Sequence, residues 1–272
     1  MPRASVAAMS SRRRTLAAAP AVLLVALAAW ETCATRVAAS SAPSDEAWDH
    51  AAAVVRAGYR AGDLIVFAPD WVDPVGRLHL GDLIPVDMAG RMDAARYGRI
   101  WELAIRGAHA PDVAGLAPAS ETDADGVAVR LYARTPVTVV ADLRERVAEA
   151  RAEGAPRPTT PLAEVGFEPQ RCVELVPRAN VPARLTFSQL PLGTTLVGYV
   201  GLADVFTRRD VRTPVQLDVE IGGRVVASAR PGVDDGWVRF EAPTTPGPAD
   251  VTFVARAGEG GRLICFAAEA RQ

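Results

Sequence analysis

The sequence predicts two fold classes in succession, a small α/β layer and then an all-β sandwich, on three observations. A helix-spaced segment, 46–59, leads directly into a short apolar run, 64–67, which is the rhythm of an αβ layer. A polar stretch, 154–160, reading GAPRPTT, then opposes both helix and central strand. Beyond Arg171, eight short alternating segments recur with turn residues between them, the pattern of an antiparallel sandwich of jelly-roll type. These divide the 272 residues into a targeting segment 1–39, a Rossmann-like αβ domain 40–153, a linker 154–164 and a β-sandwich 165–272. Each domain is long enough to bury its own core.

The targeting segment places Arg12, Arg13 and Arg14 before an apolar run at 16–30, and Arg13-Arg14-Thr15-Leu16 is a short twin-arginine match. As a helix that run spans roughly 22 Å against a hydrocarbon core of about 30 Å, which favours a cleaved export signal. Val37-Ala38-Ala39 before Ser40 supplies small residues for cleavage. The cut lies far from the end of the run, so an uncleaved signal-anchor is the alternative. The expected location is periplasmic or secreted, with a membrane-anchored form as the alternative and membrane contact only through an uncleaved N-terminus. Cys33 lacks the small apolar neighbours of a lipidation box.

Ser44 or Asp45 is positioned to cap a first helix whose inner face carries Trp48, Ala51, Ala52, Val55 and Tyr59, with His50 on the outer face. Gly58 and Gly62 stop it before the strand 64–67. Residues 69–82 read as a turn rich in ionisable groups and stiffened by Pro69 and Pro74. A second helix is expected over 85–97, with Met88, Met92 and Ala95 inward, and a second strand over 100–105. Glu102 in that strand requires a partner such as Arg77 or Arg106 if it is buried. Residues 111–125 read as loop, 127–132 and 137–140 as strands, and 142–153 as a charged surface helix. The downstream strands are joined by turns such as Gly222-Gly223, a two-residue hairpin signal. Cys172 and Cys265 fall in the first and last of them, which makes a disulfide plausible in an exported chain, with two buried thiols as the alternative.

Composition excludes several chemistries. With 30 basic and 32 acidic residues and a net charge of -2, and no basic stripe, no nucleic-acid partner is expected. All the basic residues are arginine, so Schiff-base chemistry, a Walker lysine and a lysine general base are excluded. His50, His79 and His109 are too few for a histidine-rich metal site, and no metal or other cofactor is expected.

In open parallel sheets ligands bind beyond the carboxyl ends of the strands. Asp70, Trp71, Arg77, His79 and Arg106 are therefore the candidate ligand-binding residues. If the two strands are parallel, Asp70, Asp73, His79, Arg106 and His109 share one rim. A carboxylate with two imidazoles there could support acid and base work, which makes Asp70, Asp73, His79 and His109 the alternative catalytic set. No GxSxG elbow, GxGxxG turn, HExxH helix or CxxC pair supports a specific mechanism. Two structural alternatives stand beside these: a solvated surface loop, and a polar network buried against the second domain.

Gly62, Asp63, Pro69, Trp71, Tyr97, Arg99 and Trp101, in DLIVFAPDW and YGRIWELAIRG, give residues 46–140 a resemblance to the soluble tail domain of bacterial GT-C membrane glycosyltransferases. The chain lacks the multi-span region of those enzymes, so their sugar transfer is not implied. GLADVF and GWVRFEAPTT give residues 165–272 a resemblance to galactose-binding-like jelly rolls of the carbohydrate-binding-module type. That resemblance implies sugar contact through outward aromatics, for which Tyr199 and Phe206 are the candidates, and treats Trp237 as core. The function expected is a non-catalytic envelope protein binding glycan or another envelope protein. The alternative is an exported hydrolase or transferase acting at the loop from Asp70 to His79 with His109.

Overall fold

The computed structural model describes residues 6–40, 42–203 and 213–272; Ser41 and Phe206 lie outside them. Helix α1, Val6–Ser40, continues well past the 15-residue run because its later part stays rich in alanine. Its segment Pro20–Val37 is, by length and composition, apolar enough to cross a membrane. Helix α2, Asp45–Gly58, starts where Ser44 Oγ accepts the Ala47 amide at 3.3 Å, and Asp45 and Glu46 complement its positive end. Its buried face is Ala47, Trp48, Ala51, Ala52 and Val55.

Strand β1, Leu64–Ala68, is buried along its whole length. The next segment is helical, not a loop: a 3-10 turn, Asp70–Val72, runs into α3, Asp73–Leu80. Pro74 lies in the first turn, where its missing N–H costs nothing, so the residue read as a loop stiffener starts a helix. The helix expected over 85–97 shrinks to one turn, α4, Val86–Ala89. Tertiary bonds take the carbonyls a longer helix would use: Gly90 O accepts from Arg171 N at 3.0 Å, and the Arg134 guanidinium binds the carbonyls of Ala94 and Tyr97.

Strand β2, Arg99–Ala104, pairs parallel with β1, from Leu64 opposite Ile100 to Ala68 opposite Ala104. Residues expected as loop contribute β3, Pro118–Ala124, an exposed edge strand joined to β4, Val127–Ala133, through Asp125 and Gly126 at positive φ. The sheet order is β1-β2-β4-β3, with one parallel pair and an antiparallel hairpin, so the layer is a small mixed sheet and not a doubly wound Rossmann-like one. Glu102 is fully buried in β2, and its partner is neither Arg77 nor Arg106. Arg130 Nη1 donates to it at 3.0 Å, as do the Tyr132 hydroxyl at 3.0 Å and the Ala110 amide at 2.6 Å.

The surface helix expected over 142–153 is absent. Strand β5, Val139–Asp142, and strand β6, Arg151–Glu153, flank turns and a 3-10 turn, Val147–Glu149. The Asp142 carboxylate binds the Arg144 amide and guanidinium, and such local bonds compete with helix formation. Leu143 is buried in the sandwich core. Strand pairing therefore draws residues 139–153 into the sandwich, ahead of the boundary expected at 154. The expected linker ends in a hairpin of β7, Leu162–Val165, and β8, Glu168–Arg171.

The sandwich follows as read: β9, Val173–Leu175; β10, Ala183–Leu192; β11, Thr195–Leu202; β12, Val215–Ile221; β13, Arg224–Ala229; β14, Val238–Pro243; β15, Gly247–Ala257; and β16, Ile264–Arg271. One sheet runs β13-β12-β15-β10-β6 and the other β14-β11-β16-β5, with β9 also on β16. Gly222 and Gly223, both at positive φ, close the β12–β13 hairpin opposite Ile221 and Arg224. Between the sheets Phe253 stacks on Phe266 at 4.7 Å and meets Phe187 edge-on. Cys172 and Cys265 form a disulfide with Cα atoms 5.4 Å apart. Closing a loop of 93 residues stabilises by roughly 4–5 kcal/mol in the chain-entropy account.

Candidate functional site

The mixed sheet and the sandwich meet along a cleft of about 820 Å³. One wall begins at the carboxyl end of β1, where the chain passes into the 3-10 turn carrying Asp70 and Trp71 and then into α3 with Asp73 and Arg77. Gly76 sets how closely α3 lies on β1, since a Cβ there would fall 1.9 Å from the Phe67 ring. The other wall is the tip of the β7–β8 hairpin together with Tyr199 and Trp237 on the outer face of the sandwich. The hairpin is seated by glycines: a Cβ on Gly201 would meet Val165 at 2.3 Å, and Gly166, at positive φ, packs on Gly236.

Aromatic surface lines both walls. Trp71 is 62% exposed and has the Arg106 guanidinium over its ring at 5.7 Å. Tyr199 and Trp237 are stacked at 6.0 Å, and Trp237 Nε1 donates to Met92 O at 3.3 Å, tying the sandwich to the mixed sheet. Trp237 is thus half-buried, lining the cleft while packing against the small core cluster around the disulfide. Burial raises the Tyr199 phenol pKa, with Asp93 adding to the effect.

Five carboxylates and three guanidinium groups line the cleft. Asp73 receives Arg77 in a two-point contact, Asp112 receives Arg91 at 2.9 Å, and Asp93 receives Arg271 at 2.9 and 3.0 Å. Arg134 is occupied by backbone carbonyls. That leaves Asp70 and Glu168, on opposite walls, as the lining carboxylates without an ion-pair partner among the described residues. Glu168 keeps an open surface, yet the protein closing round it raises its carboxyl pKa by desolvation, with Asp70 adding repulsion and Arg91 opposing it. Beside it Gln170, only 5% exposed, donates to Glu168 at 3.4 Å, while its Oε1 has no hydrogen-bond partner. A buried acceptor in that state costs about 1–3 kcal/mol.

The expected rim divides. Asp70, Trp71, Asp73 and Arg77 line the cleft; His79, Arg106 and His109 do not. His79 faces α2, stacked on Trp48 with Nδ1 2.8 Å from Asp49. His109 Nδ1 lies 3.3 Å from the buried Glu102. The cleft therefore has carboxylates and aromatics but no imidazole. Sequence reasoning missed Arg91, Asp112, Glu168, Gln170 and Trp237. The signal for the last was its place just after Gly236, at the start of a strand; the others carried none. Among the described residues no group of three or more His, Cys, Asp or Glu side chains is placed to hold a metal ion.

No protein-family model matches this chain, and no curated protein matches it. Solved structures similar to part of it include carbohydrate-binding modules. The CBM51-2 and INT domains of Clostridium perfringens ZmpB, in complex with GlcNAc, align at a TM-score of 0.36 and 14% identity over 56% of this chain and 35% of that one. A family 35 module from Clostridium thermocellum aligns at 0.32 and 12% over 45% and 92%. TmCBM27, described for specific mannan recognition, aligns at 0.32 and 12% over 51% and 99%. The aligned part spans about a third of the length of the ZmpB chain.

Proposed function

We propose that this chain is an exported, non-catalytic module that binds a glycan segment in the cleft between its mixed sheet and its sandwich. The observation that carries this reading is the pairing of the exposed Trp71 ring on one wall with the Tyr199–Trp237 stack on the other, with carboxylates and an amide between them. Sugar rings present apolar C–H faces and a rim of hydroxyls, and aromatic surface beside polar acceptors complements both. The apolar α1 and the Cys172–Cys265 disulfide support export to an oxidising compartment.

The test is a glycan array probed with the full chain in mild detergent, followed by titration of the best ligand. Trp71→Ala is expected to weaken binding at least tenfold with an unchanged melting temperature. Retention of only a second envelope protein, with no glycan bound, would replace this reading with that of an assembly module. Turnover of a bound glycan, lost in Asp70→Asn, would replace it with a hydrolase.

A further inference from the structure

We propose that the cleft selects a sugar bearing a free amino group, held as an ammonium between Asp70 and Glu168, over the same sugar with a hydroxyl or an N-acetyl group. This rests on the glycan reading of the cleft and adds the class of sugar. The charge inventory points to it. Each of the three lining guanidinium groups is occupied, Arg77 by Asp73, Arg91 by Asp112 and Arg134 by the carbonyls of Ala94 and Tyr97. A carboxylated or sulfated sugar would find no cation to spare among them. Asp70 and Glu168 remain, contributed from the two walls by the turn after β1 and by β8.

A separate observation asks for the same kind of partner. Gln170 lines the cleft, is almost wholly buried, binds Glu168 through Nε2, and keeps an acceptor, Oε1, beneath the cleft surface with its bond unmade. An ammonium brings three donors and no acceptor, and suits two carboxylates and an amide oxygen together. An N-acetyl group removes the charge and two of the donors. A metal cation fits less well, because the described carboxylates do not cluster in threes.

The experiment titrates the full chain, at physiological salt and a pH at which the amine is protonated, with four tetramers: glucosamine, N-acetylglucosamine, glucose in β-1,4 linkage, and lysine. The glucosamine tetramer is expected to bind at least tenfold tighter than each of the others. Asp70→Asn with Glu168→Gln is expected to level its affinity with that of the glucose tetramer. Both side chains are exposed and neither is in an ion pair among the described residues, so an unchanged melting temperature is expected to accompany the loss. Equal affinity for the three sugars, or a preference that survives both substitutions, would overturn the amine selectivity while leaving the glycan reading intact. Binding of tetralysine as tightly as tetraglucosamine would overturn it as unspecific charge attraction. Failure of all three sugars to bind would overturn the amine selectivity, and the glycan reading would fall with it only if the array also showed no glycan bound.

Discussion

Glu102 illustrates how one residue's chemistry governs its surroundings. A carboxylate buried in the middle of β2 survives because Arg130, Tyr132 and the Ala110 amide surround it with donors. Removing the cation leaves a desolvated charge, so Arg130→Ala is expected to lower unfolding free energy by about 3–5 kcal/mol, read as a shift of the urea midpoint. An unchanged midpoint would mean that the tyrosine and amide suffice. That Glu102 needs a partner follows from its place in an apolar run. Which arginine supplies it does not, because Arg130 reaches it only through the β2–β4 register, in which the two residues stand opposite. The same limit applies to the site: Asp70, Trp71, Asp73 and Arg77 are contiguous and were legible as a group, whereas Glu168 and Gln170 arrive on a hairpin nearly a hundred residues later.

At the scale of elements, the seat of α3 on β1 decides where Asp70, Trp71 and Arg77 stand. Gly76 allows that approach, and the Phe67 ring it touches is itself buried and cannot swing aside. Gly76→Ala is therefore expected to cost about 1–3 kcal/mol through overpacking, despite the better helix propensity of alanine. A calorimetric scan with no fall in melting temperature would contradict the packing argument. Elements whose signal is periodic were readable: α2, β1, β2 and the strands β9–β16 all lie close to their expected positions. Those that failed, 85–97 and 142–153, have helical spacing on paper. There Gly90 and Ala94 give their carbonyls to distant arginine groups, and Asp142 turns its carboxylate onto its own neighbours.

Across the whole molecule, the four tyrosines Tyr59, Tyr97, Tyr132 and Tyr199 all have phenol pKa values raised, with burial as the first cause, and that of Tyr132 is pushed up to about 12. A raised folded pKa gives stability that is fully present below the unfolded value near 10 and is lost as pH rises through the folded values. Absorbance titration at alkaline pH is expected to show the native chain ionising later than the urea-unfolded chain, with Tyr132→Phe removing the latest part. Superimposable curves would contradict it. The joint between the layers rests on Asp93 and Arg271 and on Trp237 over Met92. The sequence shows the two halves but not the joint, since its partners lie more than 130 residues apart.

The central claim is that the ligand sits in that joint, and photo-crosslinking tests it most directly. With a diazirine-bearing form of the tightest oligosaccharide and the full chain, the account predicts labelled peptides from residues 70–77 and 166–170 together, competed away by unlabelled sugar. Specific labelling confined to peptides from the remote sheet, such as 215–229, would contradict it.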